Sequence, residues 1–486
     1  MARVREGAVA PARWAALEAL SERRRRDARM RDLLRDAPAL ATLDERDRAL
    51  ASRLALGTVA ARGELDRVID ARLSPGAHLE PRVRDALELA CFELLYLSTP
   101  DAVAASQGVE LVRGVAPRAA GLANAVLRRV GAEDVPALGA SRARLAALGA
   151  EGVAPAAGAA AASTGAPAGA AAGPSGASDP APEGLLSDLA RVSAQPQWLC
   201  EAVLGRLGAA GAARWAARAL EPPLATVAAN RVRHTTEGAR ALLAEAGCEP
   251  EVGPLPGSLV LGRPSALTGS GLVERVDVLP CDLAAQEVVL AAAPAPGARV
   301  LEVGQGRGTK TVLLEGAAVA AGGPCEVVAV EVDARKSQLA AARMADAGVA
   351  AHVRCACADG RTLAEPGAAG LPEGAAGTFE LVLVDAPCTG SGTLRRHPAL
   401  AWSLRPGDVP DLAGLQLALL EAAASRVAPG GALVYATCSI LPEEDEDVVA
   451  RFLAGPRGGD FGRASGGLTS HGTDAHFWAR LVRAAG

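Results

Sequence analysis

Aromatic residues make up only 2% of this 486-residue chain, and lysine occurs just twice, at Lys310 and Lys336. Cores must therefore be built mainly from small and aliphatic side chains, and arginine carries nearly all the positive charge. Such a bias reflects genomic base composition more than architecture. The nine cysteines are odd in number, scattered and without a CxxC pair, which argues against a disulfide framework and a structural zinc site. Cys355 and Cys357, the closest pair, alternate in an apolar run and read as buried strand positions. No apolar stretch approaches the ~20 residues needed to span a bilayer, and the first residues lack a signal-peptide core. The expected compartment is a reducing cytoplasm, with no membrane partner and no metal. A formal net charge of −5 announces no nucleic-acid partner globally, although arginines cluster locally at Arg23 to Arg26, at Arg128 and Arg129, and at Arg395 and Arg396.

What is present divides the chain into four parts. Residues 1–130 read as helical throughout, with Trp14, Leu17 and Leu20 on one face and Leu87, Cys91, Leu94 and Leu95 on another. The last helix there, Gly121 to Arg129, sets Asn124 in an apolar face beside Arg128 and Arg129. Residues 131–183 turn to Ala, Gly, Pro and Ser, a composition that buries no face and reads as a flexible linker. Residues 184–282 suggest a small α+β module, with strands near Ala225–Arg231 and Ser258–Leu261 around a helix from Thr236. From 283 to 486 helices and strands alternate, which points to a doubly wound parallel sheet.

Open α/β sheets hold ligands at the carboxyl ends of their strands, so those ends are where chemistry is sought. The first carries Gly304-Gln305-Gly306-Arg307-Gly308-Thr309-Lys310, a loop whose glycines let backbone approach a ligand and whose following helix faces it with free N–H groups. Glu331 ends the next strand, where a carboxylate can bind a ribose diol, with Asp333 able to serve there or as a helix cap. Asp359 ends the third. Together they favour an adenosine-containing cofactor, and the absence of a GK[ST] loop argues against a nucleoside triphosphatase.

The fourth and fifth strand ends separate a dehydrogenase from a transferase. Leu381-Val382-Leu383-Val384 runs into Asp385-Ala386-Pro387-Cys388, and Tyr435-Ala436-Thr437 runs into Cys438. One isolated cysteine is usually a core residue, but two at strand ends beside a cofactor site suggest a nucleophile. A thiolate beside a methyl donor has an obvious use. The C5 carbon of a pyrimidine is too electron-poor to attack a methyl sulfonium until a thiolate adds at C6. A carboxylate such as Asp385 can hold the N3/N4 edge and stabilise the charge that develops.

At both cysteines the sequence resembles the RNA cytosine-C5 methyltransferases with two motif cysteines, and within them the bacterial 16S rRNA small-subunit methyltransferase B type. The resemblance rests on Asp385 to Cys388 followed by Gly392-Thr393-Leu394-Arg395-Arg396-His397-Pro398, and on Tyr435 to Ser439 followed by Leu441-Pro442-Glu443-Glu444. It extends to residues 1–130, which resemble the NusB-like domain carried by that subfamily. It implies an all-α NusB-like RNA-binding domain, a small α+β module and a Rossmann-like class I methyltransferase domain. It further implies S-adenosyl-L-methionine as donor and 16S rRNA as partner, free or in an assembling small subunit, with the protein acting as a monomer. By the same resemblance Cys438 is the nucleophile and Cys388 assists product release, while Asp385 and Lys310 position base or cofactor. Gly304, Gln305, Gly306, Arg307, Gly308, Thr309, Lys310, Glu331, Asp359 and Asp385 are the expected cofactor residues. Arg395, Arg396, Arg128 and Arg129 are the expected phosphate contacts. The sequence departs from the family's usual D-x-C-A-x-P-G-G-K loop, has Cys281-Asp282 in place of a Gln-Asp pair, and has Asp474 to Trp478 where a Gly-Phe-Phe pattern is common.

Overall fold

The structure, a computed structural model, describes residues 9–26, 28–150, 183–365, 371, 376–471 and 474–486. Two compact units emerge: Met1–Pro222 together with Leu394–Leu404, and Pro223–Thr393 together with Arg405–Gly486.

The first unit is helical among its described residues, with principal helices at Pro11–Arg26, Glu45–Ala60, Pro81–Tyr96, Asp101–Val115 and Ala120–Arg129. Their starts follow from local chemistry. Asp44 accepts from the Asp47 N–H, and Glu80 accepts from Arg82 and Val83 just ahead of a helix opened by Pro81. Leu17, Leu54, Leu87, Phe92 and Leu111 are fully buried between these helices. Gly57 permits the close packing at Phe92, since a Cβ there would lie 1.9 Å from the ring.

Residues 131–150 depart from the flexible-linker reading, because they continue as helix through Val130–Asp134 and Val135–Ala150. Leu138, Ser141 and Leu145 bury one side of it, and Ser141 and Arg144 both donate to Asp188 in the helix Leu185–Ser193. The rest of that linker, 151–182, lies outside the described residues. Helices Leu185–Ser193 and Gln197–Arg218 also belong to this unit, with the Tyr96 hydroxyl donating to the Arg191 carbonyl. They therefore stand apart from the strands with which the sequence reading grouped them.

The second unit begins with four short strands, β1 (Thr226–Ala229), β2 (Pro250–Val252), β3 (Ser258–Leu261) and β4 (Val278–Pro280), in an antiparallel sheet of order β2-β3-β1-β4. Helix Thr236–Glu245 covers it, Leu243 clustering with Val227, Leu259 and Val278. Asn230, fully buried, donates to the carbonyls of Val276 and Ala347 and so joins this sheet to the larger one's helices.

The larger sheet contains β5 (Arg299–Val303), β6 (Glu326–Glu331), β7 (Val353–Cys357), β8 (Phe379–Asp385), β9 (Val427–Thr437), β10 (Phe461–Thr469) and β11 (His476–Arg483), in the order β10-β11-β9-β8-β5-β6-β7. Five strands are parallel, but β11 and β10 are antiparallel, so the sheet is mixed and not the all-parallel one expected. Its central strands are apolar on both sides because both sides are covered. Leu301, Val303, Val382, Val384, Leu433 and Tyr435 face the helix Asp408–Ala424, while Val300, Leu381, Leu383 and Val434 face the helices on the opposite side. The chain leaves β5 in one direction through β6 and β7, then resumes on its other side with β8. That reversal opens a crevice at the carboxyl ends of β5 and β8.

Candidate active site

The glycine loop follows β5 at that crevice. Gly304, Gly306 and Gly308 all have positive φ, at 87°, 59° and 77°, a region that L side chains rarely adopt. A Cβ on Gly304 would stand 2.2 Å from the Asp385 carbonyl oxygen, whereas at Gly306 it would meet open space. The loop is thus pressed against the end of β8 at its start and open at its centre. Gly306 N–H donates to Glu331 Oε2 and Asp333 N–H to Glu331 Oε1, at 2.8 and 2.9 Å, which fixes the carboxylate ending β6 against the loop. Asp333 caps the helix Ala334–Ala347 by accepting from Arg335 and Lys336.

Other expected residues have more local employment. Asp359 accepts from the Arg361 N–H and pairs with its guanidinium, which holds the carboxyl below its ordinary range. Arg307 is exposed, and Thr309 Oγ1 accepts from Arg343. Gln305 is buried and donates to Thr311 Oγ1. Cys357 is exposed on the edge strand β7, contrary to the buried reading.

Beneath the loop Glu302 is fully buried, accepting from Thr311 Oγ1 through Oε2, while its Oε1 has no hydrogen-bond partner among the described residues. Burial first, with the neighbouring charge of Asp385, pushes its pKa up to about 8. Between its ordinary value of 4.5 and about 8 the folded protein keeps a proton that the unfolded chain releases. Its contribution to stability is therefore lost as pH rises through that window, by up to about 1.4 kcal/mol per pH unit. Urea titrations of Glu302→Gln and the parent from pH 5 to 8 are expected to show the variant gaining relative stability as pH rises. A pH-independent difference would refute the assignment.

Lys310, in the first turn of the helix after the loop, places Nζ 2.6 Å from Asp385 Oδ2. Burial would lower the Lys310 pKa, but the Asp385 carboxylate outweighs it and the net shift is upward, with smaller contributions from Cys281 and Cys438. This ion pair lies beside the two cysteines. Sγ of Cys388 and Sγ of Cys438 are 3.3 Å apart, and the Cys438 N–H also points at Cys388 Sγ. Cys388 is held well above the ordinary thiol range, first by its hydrogen bond to Cys438, then by burial and by the charges of Cys438 and Glu444.

The backbone keeps the two strand ends in register. Ala386 N–H donates to the Ala436 carbonyl, and Gly392 N–H to that of Cys438. Gly392 has no room for a side chain, since a Cβ would lie 2.0 Å from the Ala475 carbonyl oxygen. The divergent segment at Asp474 therefore closes the cysteine turn with main-chain atoms. Asp282 is also structural, since it caps helix Leu283–Ala292 and accepts from the Asp474 N–H.

The expected phosphate contacts divide. Arg128 and Arg129 are exposed at the end of helix Ala120–Arg129, with Arg129 near Glu133. Asn124 is exposed beside them, not within the apolar face formed by Ala123, Val126 and Leu127. Arg395 instead donates to the carbonyls of Glu221 and Pro222 in the helical unit, its side chain only 14% exposed. Arg396 contributes its carbonyl to Arg31. A paired-arginine motif does not disclose which member faces solvent.

Sequence reasoning gave no role to a buried polar group behind the cysteines, formed by Thr389, Ser391, Gln416, Ser439, Glu444 and Asp445. Its only visible signal was the acidic pair at the end of the Leu441-Pro442-Glu443-Glu444 motif.

A cationic, adenosine-bearing cofactor fits what the strand ends provide: positive-φ glycines that admit close approach, the carboxylate of Glu331 held at the loop, and the acids Glu302 and Asp385 below and beside it. Comparison with known proteins agrees. Residues 289–457 match the family model for the 16S rRNA methyltransferase RsmB/F, and residues 10–132 match the NusB family. A ribosomal RNA small subunit methyltransferase B of Thermus thermophilus is 32% identical over 411 residues, covering 84% of this chain and 79% of its own. The protein of the same name from Klebsiella pneumoniae is 33% identical over 321 residues, covering 62% and 69%. Among solved structures, PH0851 superposes with a TM-score of 0.67 at 21% identity, covering 97% of this chain and 99% of that one. A methyltransferase homolog protein from Pyrococcus horikoshii gives 0.52, also at 21% identity, covering 62% and 99%. At such identities these structures speak for the fold alone. By sequence and by both of its domains, the chain belongs to the RsmB/F family of 16S rRNA methyltransferases, in the small subunit methyltransferase B type that carries a NusB-family domain ahead of the methyltransferase domain.

Proposed function

We propose that this rRNA methyltransferase adds a methyl group to C5 of a cytidine in 16S rRNA, through a covalent bond between Cys438 and C6 of the base. The observation that carries the reading is the pair of sulfurs 3.3 Å apart, next to the Lys310–Asp385 ion pair. S-adenosylmethionine would supply an electrophilic methyl group, held by Gly304 to Lys310, Glu331 and Asp385, and by Asp359 once Arg361 gives way. The thiolate of Cys438 adds to C6, and the electron pair of the C5–C6 bond becomes available at C5. Asp385 accepts from the base edge while Lys310 offsets the negative charge that develops on the ring. After C5 has been methylated its proton leaves, the C5–C6 double bond re-forms and the C6–S bond breaks. Cys388 serves this last stage.

RNA phosphates would be met by Arg128 and Arg129 on the helical domain, by Arg396, and by Arg395 if its backbone partners exchange. The protein would act as a cytoplasmic monomer, and no helix among its described residues is long and apolar enough to cross a membrane.

The test is methyl transfer from labelled S-adenosylmethionine to 16S rRNA and to tRNA in parallel, followed by bisulfite sequencing. Label at a bisulfite-resistant cytidine of 16S rRNA is expected. Label confined to tRNA would overturn the substrate, and label in neither would overturn the catalytic reading.

A further inference from the structure

Glu444 is fully buried, and its carboxylate receives four hydrogen bonds. Oε1 accepts from Thr389 N–H at 2.8 Å and from Gln416 Nε2 at 3.0 Å. Oε2 accepts from Thr389 Oγ1 at 2.5 Å and from Ser439 Oγ at 2.6 Å. Thr389 follows Cys388 and Ser439 follows Cys438, so one carboxylate grips the turn behind each sulfur. Gln416, on helix Asp408–Ala424, also donates to the carbonyl of Pro387, the residue preceding Cys388. Its amide oxygen accepts from Tyr435, whose hydroxyl also contacts the Glu444 carbonyl. The next residue, Asp445, accepts from Thr437 Oγ1 on the other side of Cys438. Ser391 and Ser439 hydroxyls meet at 3.1 Å, closing the ring between the two turns.

A buried carboxylate is costly unless its oxygens are satisfied, and here every donor comes from a cysteine-bearing turn or from the residue that braces one. We infer that Glu444 is a positioning residue, which sets the separation and mutual orientation of the Cys388 and Cys438 sulfurs by holding their two turns to a single carboxylate. The inference rests on the proposed two-cysteine chemistry for its catalytic consequence, but its geometric content concerns the thiols alone. Alanine removes all four acceptor positions, whereas glutamine would keep the clamp, its Oε1 accepting from the N–H donors and its Nε2 donating to the Thr389 and Ser439 hydroxyls, which can turn to accept.

Two measurements test the clamp. The first needs no RNA. Phenylarsine oxide binds two adjacent thiols together, and the protein is titrated with it, taking the signal that Cys388→Ala removes. In Glu444→Ala the affinity for this site is expected to fall by about tenfold or more, since the second thiol no longer attacks at high effective concentration. Binding of S-adenosylmethionine, which the glycine loop governs, reports that the fold is intact. Should Glu444→Ala not fold, Thr389→Val removes one hydroxyl donor while leaving the carboxylate, and the same fall in arsenical affinity is expected in smaller measure. Unchanged arsenical affinity in a folded variant overturns the inference.

The second is kinetic. In Glu444→Ala, kcat is expected to fall by about a hundredfold, as a displacement near 1 Å of a reacting group can produce, with KM for RNA nearly unchanged. A fall in kcat/KM arising from KM alone overturns it. If the parent enzyme itself transfers no methyl to RNA, the cytosine reading fails while the arsenical titration still decides the clamp.

Discussion

Cys438→Ala is expected to transfer no methyl group to RNA, a loss of at least about 10⁴-fold, while retaining cofactor and RNA binding. The expectation follows from the uncatalysed chemistry: without addition at C6, the C5 carbon of cytosine is not nucleophilic enough to take a methyl group. Cys388 stands 3.3 Å away but is no substitute. Its own turn is braced through Thr389 and Pro387, so its sulfur is not free to take the place of Cys438. Filter-binding assays with labelled S-adenosylmethionine and rRNA read the activity. Equal RNA binding by variant and parent would place the loss in chemistry. Residual turnover within tenfold of the parent would remove Cys438 from the nucleophile's role.

Cys388→Ala is expected to behave in the opposite sense, building up a covalent protein–RNA species that survives denaturing electrophoresis. In the free enzyme the leading cause of the raised Cys388 pKa is its hydrogen bond to Cys438, followed by burial and the Cys438 charge. Once Cys438 has become a thioether, both contributions from that sulfur vanish, so Cys388 sheds its proton more readily at the moment when a base is needed. It can then receive the C5 proton whose departure lets the C6–S bond break. Alanine removes that acceptor after the adduct has formed. The adduct band should require S-adenosylmethionine for full yield and be absent from the Cys388→Ala/Cys438→Ala double variant. A Cys388→Ala enzyme that turns over normally, with no band, would leave product release without this thiol.

Much of this site was legible from residue order because the relevant chemistry sits at strand ends. The strand Arg299–Val303 and the starts of the helices Thr309–Ala321 and Ala334–Ala347 fall where apolar runs, Gly308 and Asp333 suggest, so the glycine loop, Lys310 and the two cysteines could be placed on one edge in advance. The strand Phe461–Thr469 was not legible. Its sequence, with Gly462, Gly466, Gly467 and two serine or threonine positions, has no hydrophobic alternation, and as an edge strand it is half-buried or exposed along its length. Its partner His476–Arg483 reads as a strand, yet nothing local distinguishes antiparallel from parallel pairing. The helix Val135–Ala150 was obscured by the Ala-rich composition, since its buried face amounts to Leu138, Ser141 and Leu145. Arg395 misled for a different reason: its commitment to the Glu221 and Pro222 carbonyls depends on contacts about 170 residues away in sequence. The Glu444 clamp was hidden because Thr389, Gln416 and Ser439 converge only in three dimensions.

The covalent step at Cys438 can be observed in one measurement. The enzyme is incubated with S-adenosylmethionine and a 16S rRNA fragment carrying 5-fluorocytidine, whose fluorine cannot leave C5 as a proton does, and the trapped complex is digested and analysed by mass spectrometry. The account predicts a methylated fluorocytidine nucleotide joined to the peptide at Cys438. A conjugate at Cys388, or no conjugate while ordinary RNA is methylated, would contradict it.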